Sequence, residues 1–544
     1  MKQARALLPL RTDFTAMRQS PGRDLIAGLT VAIVALPLAL AFGVASGLGA
    51  GAGLTTAVIA GALAAIFGGS NVQVSGPTGA MTVVLIPVVH QFGASGVLQV
   101  GVMAGIILLV LSVTGIGRWV RYLPSSLVEG FTAGIAVVIA LQQVPNMLGV
   151  APGSQERILE LAIDAIARFA LAPNFAPVII TLGVAAAILL GARWKPSLPL
   201  SFAAVVLASI AAYFFAPELG VVGELPRGIP APSATFFDAA TFSALIPSAL
   251  AVAALAALES LLSATVADAM SVGQKHNPDR ELFGQGIANL VVPFFGGVPA
   301  TAAIARTAVN VRAGARSRLS SLTHSVVLLL FVLALAPLVG IIPLAALAGV
   351  LLATTVQMVQ VGAIRSILRS SRGDAMVLIA TFMVTVAIDL VSAVMVGLVL
   401  AGIVALRAVA QSAQVSRVPL DDTDHSDEER RLLDDRIVAF RLDGALFFGA
   451  AHRFLLELSE VTDVAVVILR MSRLSTIDAT GALMLDDAIS KLEKRGIVVL
   501  LSGIRPGHKK VLSALTSAPR LTEAGRVFAE TPDAIEFARE IVSR

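Results

Sequence analysis

The sequence predicts a polytopic α-helical membrane protein that ends in a soluble α/β domain. Hydrophobic residues make up 56% of the 544 positions and charged residues only 14%, a balance far from that of an ordinary water-soluble protein. Uncharged runs long enough to cross a bilayer recur as far as Arg407. The composition then changes abruptly, so the two regions are predicted to fold in different solvents.

Apolar runs bounded by glycine, proline and charged residues predict about fourteen membrane segments. The third, ninth and tenth are too short to cross ~30 Å of hydrocarbon as helices. Because lipid cannot pair with free backbone groups, these three must be buried among the other segments. The predicted segments are 25–46, 50–68, 77–91, 95–116, 125–148, 174–191, 197–215, 243–267, 283–295, 301–311, 319–338, 342–361, 374–390 and 391–407.

The loop charges predict the orientation of these segments. Loops on one side carry arginine and lysine, and loops on the other side are mostly acidic. The positive-inside rule therefore predicts a multi-pass protein of the cell inner (plasma) membrane with both termini cytoplasmic. The basic loop residues include Arg118, Arg193, Lys275, Arg316 and Arg369, and the acidic ones include Glu160, Asp164, Glu218 and Asp238.

Fourteen segments divide into two halves, residues 25–216 and 241–410. An odd number of segments in each half inverts the second half relative to the first, so the sequence predicts a 7+7 inverted repeat. The third segment of each half is interrupted by glycine and proline. Broken helices at matching positions of two halves are typical of transporter substrate sites.

Three regions flank the predicted transporter domain of residues 25–410. Residues 1–24 are basic and have no apolar core, so they are predicted to form a cytoplasmic arm and not a cleaved signal peptide. Residues 411–433 are predicted to be a charged linker. Residues 434–544 are predicted to form a soluble α/β domain, with buried strands at 464–469 and 497–501 separated by a helical pattern.

Composition argues against several classes of function. The chain has no cysteine, and its six histidines show no metal-binding spacing. No nucleophile–base set is recognisable, so we expect neither an enzyme nor a cofactor. The net charge of +4 arises beside the membrane segments, which argues against nucleic-acid binding.

The two broken segments form the predicted substrate site. A half-helix that starts in mid-membrane directs free N–H groups and partial positive charge at a ligand, and two of them can bind an anion. Pro77 suits a first helical turn, and Pro299 repeats that pattern. Alternatively, these small residues only pack helices closely. The candidate residues are Ser75, Gly76, Pro77, Thr78 and Gly79 in one segment, and Ala300, Thr301, Ala302 and Ala303 in the other.

Two charged residues lie deep inside apolar segments. Glu259, in the eighth segment, is predicted to carry a coupling proton or to ligate a coupling cation, and Ser263, one helical turn further on, shares that role. Arg306, in the tenth segment, could attract the anion, neutralise Glu259 or reach the inner surface. All three roles of Arg306 remain open.

Several runs carry a family resemblance: residues 36–43, 75–79, 259–263, 277–282, 284–289, 296–301 and 305–307. Together they resemble the SulP family of anion transporters over nearly the whole chain. Residues 477–481 are similar to the STAS domain of that family. In phosphorylated STAS relatives a serine follows the aspartate of this loop, and Ala479 stands there in this chain. A structural or regulatory role is therefore favoured for the domain.

The resemblance implies a core domain (segments 1–4 and 8–11) that moves against a gate domain (segments 5–7 and 12–14). It places the substrate between segments 3 and 10 near Phe42, and it implies a homodimer with a cytoplasmic STAS domain. Family substrates include sulfate, bicarbonate, chloride and small dicarboxylates. In sodium-coupled bicarbonate members the position of Glu259 resembles an aspartate that ligates sodium, and glutamate here favours a proton.

The sequence therefore predicts a secondary active transporter of small inorganic anions of the sulfate and bicarbonate class. It is predicted to be proton-coupled and embedded in membrane lipid, with alternating access by movement of the core against the gate. A C4-dicarboxylate carrier and a sodium-coupled bicarbonate carrier are the alternatives. A nucleobase-type carrier or an anion channel is less favoured, because the broken segments offer small residues and hydroxyls and no second carboxylate.

Overall fold

Long apolar helices form most of the protein in a computed structural model. Among the described residues, eight helices are long and apolar enough to cross a membrane, and the predicted helical membrane fold is confirmed. The count of fourteen segments stays a prediction. The structure describes residues 7–9, 11–118, 124–151, 153, 157–194, 200–225, 228–271, 275–412, 414–417, 436–446, 464–512 and 517–543.

Each predicted segment of the first half coincides with helix. The third and fourth segments join into one element, α4, which Gly93 interrupts with a non-helical φ of 67°. The short helix α1 precedes the first segment. The amphipathic helix α7, which the sequence did not predict, follows the fifth segment. The helices are α1 (Arg11–Ala16), α2 (Pro21–Ala45), α3 (Ala50–Phe67), α4 (Gly79–Thr114), α5 (Ser125–Gln142), α6 (Val144–Leu148), α7 (Ile158–Leu171), α8 (Phe175–Trp194) and α9 (Leu200–Phe215).

The second half follows the same pattern. The ninth segment of the chain ends in a short 3₁₀ turn, Val292–Phe295. An amphipathic helix that the sequence did not predict, α15, lies between the twelfth and thirteenth segments. The helices are α10 (Phe242–Met270), α11 (Pro278–Val291), α12 (Ile304–Arg312), α13 (Arg318–Gly340), α14 (Leu344–Met358), α15 (Val361–Ser370), α16 (Arg372–Ala387) and α17 (Leu390–Ser412).

Side-chain packing divides these helices into two groups. In the first, α2, α3, α4, α10, α11, α12 and α13 pack on one another, and in the second, α5, α8, α9, α14 and α16 do so. We call them the core group and the gate group, because their members belong to the segments that the family resemblance assigns to core and gate. Contacts between the groups include those of α2 with α14 and of α4 with α5.

Contacts divide the chain into two units, Met1–Leu398 and Val399–Arg544. The second unit is an α/β fold in which α18 and α21 cover opposite faces of one sheet. Its strands lie in the order β3, β4, β5, β7, β8, with β6 beside β4, and all pairs except β3–β4 are parallel. Its elements are β3 (Gln414–Arg417), β4 (Ile437–Leu446), β5 (Val466–Arg470), β6 (Leu474–Ile477), α18 (Ala479–Lys494), β7 (Val498–Ser502), α19 (Pro506–Leu512), α20 (Ser517–Glu523), β8 (Val527–Phe528) and α21 (Thr531–Ser543).

The loop that resembles the phosphorylated STAS loop is a helix start. Asp478 is the N-cap of α18, and its Oδ1 accepts a hydrogen bond from the Gly481 N–H at 2.6 Å. Ala479 is the first helical residue and has no hydroxyl to modify. Most of the predicted linker, residues 413 and 418–433, lies outside the described residues.

Candidate anion-binding site

The two broken segments meet as a pair of short antiparallel strands. In β1 (Ser75–Gly76) and β2 (Thr301–Ala302), Ser75 lies opposite Ala302 and Gly76 opposite Thr301. The Ala303 N–H extends the pairing by donating to the Val74 carbonyl at 3.1 Å. Helix α4 begins shortly after β1 and α12 shortly after β2, so both half-helices start from this pair.

The expected place of the two prolines in the first helical turn is wrong. The N-cap of α4 is Thr78, so Pro77 precedes the helix. The N-cap of α12 is Ala303, and Pro299 lies before β2. The physical reason is the strand pairing, which holds the residues at each break in extended backbone and delays the helix start.

Neither half-helix uses the side chain of its N-cap residue as a cap. Ala303 has no polar side chain, and the Thr78 hydroxyl donates instead to Oε2 of Glu259 at 2.9 Å. The first N–H groups of a helix have no partner within the helix and carry its partial positive charge. Both helix starts therefore keep donors that an anion can use.

Arg306 is buried against the first broken segment. Its side chain is 1% exposed, and Nη2 donates to the Pro77 carbonyl at 2.5 Å. Nη1 has no hydrogen-bond partner among the described residues. A Cβ at Gly76 would lie 2.5 Å from that atom, so the glycine allows the guanidinium to approach the backbone. Of the three open roles, this position suits the attraction of an anion.

Glu259 lies close to the same helix start, and the ion pairs found within 4 Å among the described residues do not include it. Its carboxylate accepts a hydrogen bond from the Thr78 hydroxyl, and its charge and that of Arg306 attract each other at longer range. Arg306 is also too deeply buried to reach the inner surface. The N-cap residue of α4 therefore binds a carboxylate through its hydroxyl group.

Ser263 points to a different neighbour. Its hydroxyl, fully buried, donates to Oγ1 of Thr307 at 3.1 Å, and Thr307 Oγ1 also accepts from the Val74 N–H at 3.1 Å. The serine therefore supports the chain just before β1. The spacing between Glu259 and Ser263 predicted that both lie on the same side of α10, but it did not predict that Ser263 contacts Thr307.

A polar stripe on α11 holds both broken segments, and its role was missed from the sequence. Glu281 accepts from the Gly69 and Ser70 N–H groups, at 2.9 and 3.2 Å. Gln285 Nε2 donates to Ser75 Oγ at 2.7 Å and to Glu281 at 3.0 Å. Their spacing of four residues was the available signal, because it places these side chains on one face of the helix.

The stripe ends at the second broken segment. Asn289 accepts from the Ala300 N–H at 2.7 Å and donates to the Ala300 carbonyl at 2.8 Å. The Thr301 hydroxyl contacts Ser260 Oγ at 2.9 Å, and the Ala302 N–H donates to the same Ser260 at 3.2 Å. The buried Thr301 side chain therefore holds β2 against α10.

One wall of the site is apolar. Phe42, on α2, is 5% exposed. An ideal Cβ at Gly79 would lie 3.1 Å from Phe42 Cε1 and 2.2 Å from Ile139 Cδ1. Ile139 belongs to α5 of the gate group and was not predicted, because nothing in its apolar segment distinguishes it. The start of α4 is thus packed between a core side chain and a gate side chain.

The site is built from backbone donors, hydroxyls and one pair of charges. No group of three or more acidic, histidine or cysteine side chains that could hold a metal ion occurs within the part of the chain that the structure describes. The donor Arg306 Nη1 is buried there without a hydrogen-bond partner among those residues. Unpaired buried polar atoms call for a ligand or water. Such a site suits a small anion.

Paired broken helices within a bundle of apolar helices define a class of membrane transporters. The pattern of the Sulfate permease family matches residues 22–381, and the pattern of the STAS domain matches residues 433–532. The chain therefore belongs to the Sulfate permease family, and the resemblance found in its sequence is confirmed.

Two curated relatives match most of the chain. YvdB of Bacillus subtilis, whose name assigns it provisionally to sulfate transport, is 33% identical over 502 residues, 90% of this chain and 93% of that protein. The bicarbonate transporter BicA of Picosynechococcus is 33% identical over 495 residues, 86% of each chain.

Two solved structures resemble the protein over most of its length or over its membrane region. The transmembrane domain of a cyanobacterial bicarbonate transporter, BicA, matches with a TM-score of 0.63 and 32% identity, over 69% of this chain and 97% of that one. The murine Slc26a9 anion transporter in its inward-facing state matches with a TM-score of 0.81 over 95% of this chain and 91% of that one. Its identity is 20%, so it supports the fold alone.

Proposed function

We propose that the protein is a secondary active transporter of small inorganic anions of the sulfate and bicarbonate class, and not an enzyme. The observation that carries the proposal is the pair of half-helices, neither capped by its N-cap side chain, with the buried Arg306 beside one of them. Backbone donors and a cation recognise negative charge and small size. The relatives named for sulfate and bicarbonate transport support the same class.

Glu259 is the coupling group in this proposal. Its carboxylate accepts a hydrogen bond from the N-cap of the helix that faces the anion. An ionised Glu259 repels an anion at that helix start, and protonation removes the repulsion. Proton binding and anion binding then favour each other reciprocally, which is the condition for symport.

Movement of the core group against the gate group provides alternating access in this proposal. The paired strands, Arg306 and Glu259 all belong to the core group, whereas Ile139 comes from the gate group. A moving core would carry the anion with it, and the Ile139 contact would change. We further propose that the protein is a homodimer, as the family resemblance implies. It would lie in the plasma membrane with both termini in the cytoplasm, as the loop charges predict.

Uptake into proteoliposomes tests the proposal. The purified protein is reconstituted and supplied with labelled sulfate, bicarbonate or fumarate, under an inward proton gradient, an inward sodium gradient or neither. We expect saturable uptake of an inorganic anion that the proton gradient accelerates and the sodium gradient does not. Fumarate as the best substrate would favour the dicarboxylate alternative, and flux that does not saturate would favour a channel.

Glu259→Gln tests the coupling separately. The amide mimics a protonated carboxyl, so we expect uptake that no longer responds to the proton gradient. Asp389→Asn is the matched control, because Asp389 lies at a segment end and binds Ser392. Sodium-driven uptake that is unaffected by Glu259→Gln would contradict the proposed coupling.

A bulky side chain in either broken segment tests the anion site itself. Unchanged transport in Thr301→Trp or Ser75→Trp would contradict the proposed site.

A further inference from the structure

A short helix of the gate region has an apolar face that the protein leaves uncovered. Helix α15 lies between α14 and α16, and none of its residues is buried. Val361, Ile364 and Leu368 recur at spacings of three and four residues, so they share one face. Val361 is 70% exposed and Leu368 44%. In water such a face would be costly.

Basic residues flank this apolar face. Arg365 and Arg369 are exposed on α15, Arg372 is exposed at the start of α16, and no acidic residue lies between Val361 and Arg372. The acidic residues on the neighbouring helices are Glu129 of α5, which is partly buried, and Asp374 of α16, which accepts from Ser371 and Ser126. The ion pairs found among the described residues do not include these three arginines.

A second gate helix has the features of a membrane interface at the side where α15 is predicted to lie. Helix α8 ends in Arg193 and Trp194, and Trp194 is 89% exposed. Both α8 and α14 belong to the gate group, and the loops after both are predicted on the inner side. Exposed tryptophan beside basic residues is typical of the headgroup level of a bilayer.

We propose that α15 lies in the bilayer surface and binds anionic phospholipid, with Arg365, Arg369 and Arg372 on the headgroups and Val361 and Leu368 among the acyl chains. An acidic protein partner could satisfy the arginines, but it would leave the apolar face without cover. A basic amphipathic helix satisfies both faces only at an anionic lipid surface. The helix would fix the gate group to one leaflet while the core group moves.

A fluorescence experiment on the full-length protein tests this directly and does not depend on which anion is carried. Leu368→Trp is introduced with Trp119→Phe and Trp194→Phe, so that one tryptophan reports the position of α15. The protein is reconstituted with phosphatidylglycerol or phosphatidylcholine carrying brominated acyl chains, at equal mole fractions. We expect quenching by brominated phosphatidylglycerol to be roughly twofold stronger or more.

Two charge variants make the result specific. Arg365→Gln combined with Arg369→Gln and Arg372→Gln should remove the preference for phosphatidylglycerol. Arg157→Gln with Arg168→Gln on α7, which is predicted on the opposite face, should leave it unchanged. Equal quenching by both lipids, or no quenching by either, would overturn the proposal. Elution as a single species in detergent checks that each variant is folded.

Discussion

The two broken segments are held in different ways. The first contacts charged groups: Pro77 accepts from Arg306, and Thr78 donates to Glu259. The second is held by neutral, buried side chains, with Asn289 on the backbone of Ala300 and Ser260 on β2. The two segments occupy corresponding positions in the two halves, but different kinds of side chain hold them in place.

The difference suggests a division of labour between the two segments. A contact with a charged group changes strength when a proton or an anion binds nearby, whereas a contact with a buried amide does not. We expect the first segment, together with the Arg306 side chain that reaches it from α12, to respond to ligands, and the strand of the second segment, β2, to remain a fixed support. Substitutions in the two segments should therefore have different signatures.

Arg306→Gln should have the largest effect on transport. Hydrogen bonds to charged groups contribute ~1.5–3 kcal/mol, so we expect anion uptake to fall roughly 10- to 100-fold at limiting concentration. Arg306→Lys keeps the charge but loses the planar donor geometry and should recover part of the uptake. The measurement is initial uptake in proteoliposomes. Full activity of Arg306→Gln would remove the first segment from the anion site.

Asn289→Ala should instead reduce stability. It leaves the Ala300 N–H and carbonyl without their partner, at a cost of about 1–3 kcal/mol for each buried group. We expect a lower midpoint of thermal unfolding in detergent, with a smaller change in anion affinity. Asn174→Ala, which removes one exposed hydrogen bond to the Ala176 N–H at the start of α8, is the control and should lower the midpoint less. A loss of affinity at unchanged stability would break the distinction between the two segments.

The sequence predicts where the candidate site lies, but it does not predict the contacts within it. Glycine and proline mark the breaks, and Glu259 and Arg306 stand out because charge is rare inside apolar segments. The pairing of Ser75 with Ala302 joins distant parts of the chain, and no local pattern records it. It is also the reason why Pro77 lies outside the helix.

The polar stripe of α11 could have been predicted from the sequence. Glu281, Gln285 and Asn289 recur every four residues along α11, so they share a face. Their partners could not be predicted, because helical periodicity gives the direction of a side chain and not the neighbour that it meets. The same limit applies to Ser263: its spacing from Glu259 could not show that its hydroxyl contacts Thr307.

Thr301→Val tests the fixed support with a smaller change. It removes the hydroxyl that contacts Ser260 and the Ala256 carbonyl but keeps the shape of the side chain. A neutral buried hydrogen bond contributes about 0.5–1.5 kcal/mol, so we expect a modest drop in the thermal midpoint and little change in coupling. Thr301→Ser keeps the hydroxyl and serves as the control. Proton coupling lost in Thr301→Val alone would assign a ligand-responsive role to the second segment.

Gly79→Ala should have the smallest effect on anion uptake, and a second substitution at Ile139 should reverse it. The added Cβ would meet the Ile139 Cδ1 atom at 2.2 Å and Phe42 Cε1 at 3.1 Å. Both atoms are side-chain ends that can shift, so we expect uptake to fall only roughly fivefold, by an overpacking cost at the low end of its range. The measurement is the initial rate of anion uptake.

Ile139→Val removes the Cδ1 methyl from the gate side. In the double variant Gly79→Ala/Ile139→Val we expect uptake close to that of Ile139→Val alone, because the new Cβ then occupies the vacated space. Ile135→Val, on the same helix, removes an equivalent methyl away from this contact and should give no rescue. Additive losses in the double variant would mean that Gly79 and Ile139 are not in contact during transport. The first segment would then respond to its charged partners without any constraint from the gate.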